Sequence, residues 1–392
     1  LSQSSVDFSG GIGYFIFHIE GTTFMETKTN KPLRGAVIGY GFISGHGHIP
    51  AYLQRAKEKG DVEIVAIADT CEARRQLVVE NLPEIRVYTD YEILLEQEAE
   101  NLDFIDISTP PVFHAQIALA GFKHGLHVLC EKPLTVSLEE AQALLKAAQQ
   151  AKRVLFPCHN YKHAPVVRAI REIIESGKIG KVRSVTLNTF RNTHAKGVTE
   201  WRTHWRREKR FSGGGIAMDH GSHTFYLTFD WMNSYPTSVT AKMSILEPDR
   251  YDTEDNFSAV LTFPTGLAHV HLTWTAGVRK VIYTVQGEKG AITVDDDEIQ
   301  IATQHKTQGP DVAQGAITWQ VERQTISSDW MDASHVTWFN SLFDQFKTAI
   351  ENGDYVSKEA KEAYLCIQLI QTAYRSAAEG CRELPLATNV LL

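Results

Sequence analysis

The chain lacks the features that would send it to a membrane, a nucleic acid or an oxidising compartment. Its five cysteines, Cys71, Cys130, Cys158, Cys366 and Cys381, are odd in number, scattered, and form no CxxC pair. This excludes a disulfide framework and predicts a reducing compartment, the cytoplasm, with the thiols packed as small hydrophobes. No apolar run approaches the roughly 18 residues of a membrane helix. The apolar stretch at residues 12–19 has no basic residues before it and no small-residue cleavage site after it, so it reads poorly as a secretory leader. Long Lys/Arg blocks are also missing, and the net charge is −8. The richest basic run, Arg206-Arg207-Glu208-Lys209-Arg210, is short and contains an acid. It reads as a solvated loop or a substrate-side patch, not a nucleic-acid groove. What remains is an ordinary globular composition, 43% hydrophobic and 22% charged over 392 residues, long enough for two separate cores.

Apolar runs at 36–38, 62–68, 87–88, 104–108, 126–130 and 153–157 alternate with helical patterns at 49–56, 71–80, 91–98, 114–124 and 137–151. That alternation predicts right-handed crossovers and a doubly wound parallel sheet. The pattern changes after residue 158. A helix at 164–176 ends at Gly177, a C-cap signal. Alternating strands follow at 182–188, 238–245, 256–263, 268–274, 281–287 and 291–295, and helices at 336–352 and 357–378 close the chain. These predict a large, open, mostly antiparallel sheet with helices on one face. Its other face needs cover, which predicts a homo-oligomer, dimer or tetramer, built through the sheet. Residues 1–30 fit neither pattern. They read equally as an arm over a neighbouring subunit or as translated sequence upstream of a start at Met25.

Gly39-Tyr40-Gly41-Phe42-Ile43-Ser44 closes the first strand and opens a helix. The first glycine permits a tight turn, the second lets a pyrophosphate approach the backbone, and the third position needs only a small residue, here Ser44. The following helix N-terminus supplies amide donors for phosphate. Asp69 ends the second strand, where its carboxylate can accept hydrogen bonds from an adenosine ribose and repel a 2′-phosphate. This favours NAD over NADP as cofactor; Arg74 and Arg75 nearby keep NADP as the alternative. A strand-end Asp capping the next helix is the plainer reading. Ser108-Thr109-Pro110-Pro111 ends the fourth strand at the ligand crevice of such a sheet. His114 either faces that crevice or sits in the first turn of its helix.

Glu131-Lys132-Pro133 follows the fifth strand. Oxidising a secondary alcohol needs a base for the hydroxyl proton and a positive group for the developing alkoxide. Lys132 supplies the charge, and Glu131 positions either that lysine or the nicotinamide ribose. Downstream, Gly213-Gly214-Gly215 precedes Asp219-His220-Gly221-Ser222-His223. On one helix, Asp219 and His223 would share a face, and the glycines would let a ligand approach the backbone. His223 reads as general acid/base, with Asp219 as its partner or as an anchor for a substrate hydroxyl. Zinc held by Asp219, His220 and His223 lacks a third firm ligand, so no metal is expected; a purely structural histidine is the other alternative. Trp201-Arg202 and Trp205-Arg206 suit a sugar or cyclitol ring, and His159-Asn160-Tyr161-Lys162 is a further candidate substrate edge.

Together these motifs resemble the Gfo/Idh/MocA oxidoreductases, the family of glucose–fructose oxidoreductase and inositol dehydrogenase. The resemblance runs from about Leu33 to Leu386. It rests on Val37-Ile38-Gly39-Tyr40-Gly41, Ser108-Thr109-Pro110 with His114, Glu131-Lys132-Pro133, Gly177-Lys178-Ile179-Gly180, Trp205-Arg206, and Gly213 to Gly215 through Asp219 and His223. It implies a Rossmann domain, here 31–157, followed by a substrate-binding and oligomerisation α/β domain, here 158–392. It also implies bound NAD or NADP, a catalytic set of Lys132, Asp219 and His223, and sugars, cyclitols or glycosides as substrates. Three positions depart from the pattern: Pro111 where many members have asparagine, Lys162 where arginine is frequent, and Phe225-Tyr226 where a further aspartate is often found. The expected activity is hydride transfer between nicotinamide and a ring hydroxyl or ketone. Two alternatives are a glycoside-cleaving enzyme that recycles its NAD and a non-catalytic sensor on the same fold.

Overall fold

The computed structural model describes residues 15–19, 22–26, 31–306, 317–326 and 336–387. Within the N-terminal segment, Phe15–Ile19 pairs antiparallel with Thr22–Glu26; its other residues up to 30 lie outside the described set.

The first sheet comprises Leu33–Ile38 (β1), Val62–Ala68 (β2), Arg86–Tyr88 (β3), Phe104–Ile107 (β4), His127–Cys130 (β5) and Leu155–Pro157 (β6). All pairings are parallel, in the order β3-β2-β1-β4-β5-β6. Helices cover both faces of such a sheet, which is why β4 and the end of β1 are buried at every position instead of at alternate ones. Side-chain caps start several of the helices: Asp90 accepts from Ile93 N at 2.9 Å, and Ser137 from Glu140 N at 3.2 Å. Strand order reverses between β1 and β4, and the crevice beyond that point is where ligands bind in open α/β sheets.

The second sheet has nine strands: Val182–Phe190 (β7), Ser238–Ser244 (β8), Asn256–Phe263 (β9), Gly266–Thr273 (β10), Lys280–Gly287 (β11), Gly290–Asp295 (β12), Glu298–Lys306 (β13), Ile317–Thr325 (β14) and Leu384–Pro385 (β15). Their order is β14-β13-β12-β11-β7-β10-β9-β8-β15, and only β7–β10 is parallel. The inner face packs on helices Pro165–Glu175, Gly221–Met232 and Lys358–Ala378 around Val185, Leu187, Phe225, Phe257, Val270 and Ile370. Strands β13 and β14 extend the sheet past the predicted elements. Their outward positions are polar or charged at Gln300, Gln304 and Arg323.

The helix Val336–Asn352 returns to the first sheet. Phe339, Phe343 and Phe346 pack there against Tyr52, Phe104 and Phe156, with ring centroids 5.2 to 5.9 Å apart. The buried Arg55 guanidinium fastens it by reaching both Asp61 at 2.5 Å and Asp344 at 2.7 Å. The first sheet therefore takes part of its cover from the end of the chain.

Candidate active site

A cavity of about 860 Å³ opens at the carboxyl ends of β1, β4 and β5 and extends to the second sheet, a size suited to organic ligands. On the nucleotide side it is lined by Gly39, Gly41, Phe42, Ile43, Asp69, Ser108, Thr109, Pro110, Glu131 and Lys132. Gly39 has φ +96°, and a Cβ there would stand 2.8 Å from the Ser108 carbonyl oxygen, so the turn needs glycine. A Cβ on Gly41 would meet only open space. The turn thus leaves a backbone cradle free for a phosphate, and the fit to a dinucleotide is good. Asp69 does two jobs at once. Its Oδ2 accepts from Tyr40 N and its Oδ1 from Cys71 N, each at 2.7 Å. The bond to Cys71 N is a turn just ahead of the helix Glu72–Asn81, whose N-terminus takes no side-chain cap, so Asp69 does not cap that helix; its carboxylate faces the cavity.

At the chemical end, the Lys132 ammonium donates to the Asp219 carbonyl at 2.9 Å and to its Oδ1 at 3.3 Å. Arg206 Nε reaches the same Oδ1 at 3.2 Å, its guanidinium lying 4.2 Å from the Trp205 ring centroid. Burial alone would raise the Asp219 carboxyl, but Lys132 and Arg206 pull it far below the carboxylate range and keep it ionised. His223 lines the cavity beside Asp219. Its ring stacks on Tyr161 at 3.9 Å and its Nδ1 lies 2.7 Å from the Tyr226 hydroxyl. Burial first, then the Lys132 charge, holds His223 well below the usual imidazole range, so the ring is neutral near pH 7.

Asp219 and His223 do not share one helix. The turn Ile216–Asp219 and the helix Gly221–Met232 break at His220, yet both side chains reach the cavity. The glycine run also has a different basis from the one expected. A Cβ on Gly213 would strike Val136, on Gly214 Tyr374, and on Gly215 the Glu254 carbonyl oxygen at 1.8 Å. The run is small to pack against Val136, Tyr374 and Glu254 rather than to admit a ligand. The Glu254 carboxylate accepts from Gly215 N at 2.9 Å and Ala217 N at 3.0 Å, fixing the turn that carries Asp219.

Behind Lys132 lies a buried polar network. His48 Nδ1 is 2.8 Å from Asp106 Oδ2, and His48 Nε2 is 3.1 Å from Glu131 Oε1. Tyr52 donates to Asp106 at 2.8 Å, and Lys132 N donates to Glu131 Oε2 at 3.0 Å. Burial would lower His48, but the two carboxylates outweigh it and lift the imidazole to about 10. His48 is thus an imidazolium donating from both nitrogens. The trio His48, Glu131 and Cys158 brings ligand-type atoms within 4.8 Å, but this imidazolium has no lone pair to give a metal.

Two predicted residues stand away from the cavity wall. His114 is fully buried, its nitrogens 2.8 Å from the Thr109 carbonyl and 2.9 Å from that of Pro133, so it ties the ends of β4 and β5 together. His159 is buried and stacked on Tyr226 at 4.2 Å; its neighbour Tyr161 reaches the cavity. Reading the sequence missed the irregular segment after β7. Arg191, Asn192, Thr193, His194, Lys196 and Val198 line the cavity. The segment docks on the first domain where Glu200 meets Arg74 at 3.3 Å. It carries no periodicity, and only the Trp-Arg pairs at its end were visible as a signal.

Residues 33–159 match the family described as an oxidoreductase family with an NAD-binding Rossmann fold, and residues 167–293 match the GFO/IDH/MocA C-terminal domain. D-glucoside 3-dehydrogenase of Escherichia coli is 23% identical over 375 residues, covering 91% of this chain and 99% of that protein. Levoglucosan dehydrogenase of Pseudarthrobacter phenanthrenivorans is 25% identical over 313 residues, 69% of this chain and 76% of that protein. The fold of a levoglucosan dehydrogenase solved with NADH superposes with a TM-score of 0.76 at 21% identity, covering 91% of this chain and all of that one.

Proposed function

We propose a role for each residue of this site from one premise: the chain belongs to the Gfo/Idh/MocA family of NAD-binding oxidoreductases. The proposed reaction is hydride transfer between nicotinamide and a ring hydroxyl or ketone of a sugar, glycoside or cyclitol. The observation that carries this reading is the convergence of Lys132, Asp219 and His223 on one cavity with the Gly39 turn. Bound NAD supplies the hydride acceptor or donor. Gly39, Gly41, Phe42 and Ile43 would cradle its phosphates, Asp69 its adenosine ribose, and Ser108, Thr109, Pro110 and Glu131 the nicotinamide half.

Lys132 stabilises negative charge on the substrate oxygen. Asp219, ionised throughout the neutral range, holds the Lys132 ammonium and can accept from a neighbouring substrate hydroxyl. His223 takes the hydroxyl proton in oxidation and returns it in reduction. That role needs the tautomer in which Nδ1–H donates to the Tyr226 oxygen and Nε2 keeps its lone pair. Tyr161, stacked on the imidazole, fixes its plane. Trp205 and Arg206 form the ring-binding edge.

The test is the nicotinamide absorbance of the purified protein with NAD and a panel of sugars, glycosides and inositols. Net NADH with one class of compound is the expected result. Silence across the panel with NAD found bound would overturn net dehydrogenation in favour of a recycled cofactor or a sensor.

The proposed assembly is a homo-oligomer through the open face of the second sheet. Val260, Leu267, Trp319 and Val321 are exposed on that face, an apolar surface that a second copy would cover. Light scattering on the eluted protein should give a dimer or larger, and Trp319→Glu should shift it toward the monomer. A monomeric wild type would sink this assembly.

A further inference from the structure

On the second-domain side, the cavity wall is charged almost wholly in one sense. Among the described residues, Arg191, Lys196, Arg206 and Arg279 line it, against one carboxylate of that side, Asp219. That carboxylate is already shared by Lys132 and Arg206. Arg191 is held at a defined place at the end of β7: its N–H donates to the Thr273 carbonyl at 2.9 Å, and its carbonyl accepts from Ala276 N at 3.0 Å. Its guanidinium makes one hydrogen bond among the described residues, Nη1 to the adjacent Phe190 carbonyl at 3.0 Å. Lys132–Asp219, Arg206–Asp219 and Arg74–Glu200 are ion pairs of the cavity wall among the described residues, and none of these includes Arg191.

Arg191 also acts at the reacting end. Burial, then the Arg191 charge, holds the His220 imidazole well below its usual range, and His220 lies beside His223 with ring centroids 5.5 Å apart. The cofactor's phosphates belong at the Gly39 turn on the other wall, so they do not account for this cation. An arginine lining the cavity with a single guanidinium hydrogen bond among the described residues has donors to spare for the planar fork of a carboxylate or the oxygens of a phosphate.

We propose that the substrate is an anionic sugar, carrying a carboxylate or a phosphate, and that Arg191 recognises its charged group. This deepens the oxidoreductase reading and rests on it for turnover, though not for binding.

The test compares matched pairs on the full chain with NAD: glucose against glucuronate, galactose against galacturonate, and glucose against glucose 6-phosphate. The anionic member of a pair should show kcat/KM about tenfold to a hundredfold above the neutral one. Arg191→Met should bring that ratio toward one. A higher value for the phosphate than for the uronate identifies phosphate as the source of the charge. A preference for neutral sugars, or a ratio unchanged in Arg191→Met, overturns the proposal while leaving the oxidoreductase reading intact. If no sugar is oxidised, calorimetry on the NAD complex separates the two failures. Anionic-sugar binding that Arg191→Met weakens tenfold or more supports the anion site without the activity. Equal binding of charged and neutral sugars, or binding of neither, overturns it.

Discussion

Lys132→Ala is expected to lower kcat about a thousandfold in both directions of the reaction while NAD still binds. In the proposed role the lysine meets negative charge on the substrate oxygen, and removing one such donor from a preorganised site costs about 3–4 kcal/mol of transition-state stabilisation. The loss should appear in kcat more than in KM, because the charge it stabilises develops only as the hydride moves. Asp219 keeps Arg206 at 3.2 Å in the variant and stays ionised, so the site should retain its shape. Lys132→Met, with similar bulk and no charge, should behave as the alanine variant does. Steady-state rates give the first quantity, and protein fluorescence quenched by NADH gives the second. A variant within threefold of wild type in kcat would remove Lys132 from the chemistry. Loss of NAD binding together with activity would reassign it to the cofactor.

His48→Gln is expected to destabilise the fold by about 3–5 kcal/mol near pH 7, the range for removing one partner of a buried ion pair. Asp106 and Glu131 would then lose the cation between them, leaving only the Lys132 charge near Glu131. Their separate partners, Tyr52 and the Lys132 amide, do not supply one. The pH dependence gives the assignment a signature. Folded His48 is raised to about 10, against about 6.5 in an unfolded chain. Its contribution is therefore complete below about pH 6.5 and declines as pH rises toward 10. Burial pushes the Glu131 carboxyl up and the His48 imidazolium holds it down; the variant loses that hold, so acidification should relieve the defect. The gap between wild type and variant should peak near neutrality and narrow at pH 5 and at pH 9. Urea unfolding at those three pH values measures it. A gap that is flat with pH, or under 1 kcal/mol, would show that no charged imidazolium sits between the two acids. Because Glu131 lines the cavity and accepts from the Lys132 amide, the same variant should also lose turnover at pH 7.

Much of this could be read from the sequence because its causes are local. A buried parallel strand is an apolar run, a tight phosphate turn needs Gly39, and a strand end is marked by Asp69 or by Glu131-Lys132-Pro133. Each signal lies within a few residues, and their order along the chain predicted six parallel strands and then a mostly antiparallel sheet. Lys132, Asp219 and His223 could be singled out as candidates for the same reason: each stands next to a recognisable turn or glycine run, and the structure brings the three to one cavity.

Other features depended on residues far apart in the chain. His48 becomes a cation at neutral pH only because β4 and β5 bring Asp106 and Glu131 to its two nitrogens, 58 and 83 residues away. Gly215 must be glycine because Glu254, on another element, stands against it. Arg191 faces the cavity because the β7–β10 pairing sets its backbone, while nothing in its neighbours announces a binding residue. Residue types and spacings determined the sheets, the nucleotide turn and the identities of the reactive groups. Only the tertiary structure decided which charges are paired and which are left facing the cavity, because electrostatic energy depends on distances and burial that chain order does not contain.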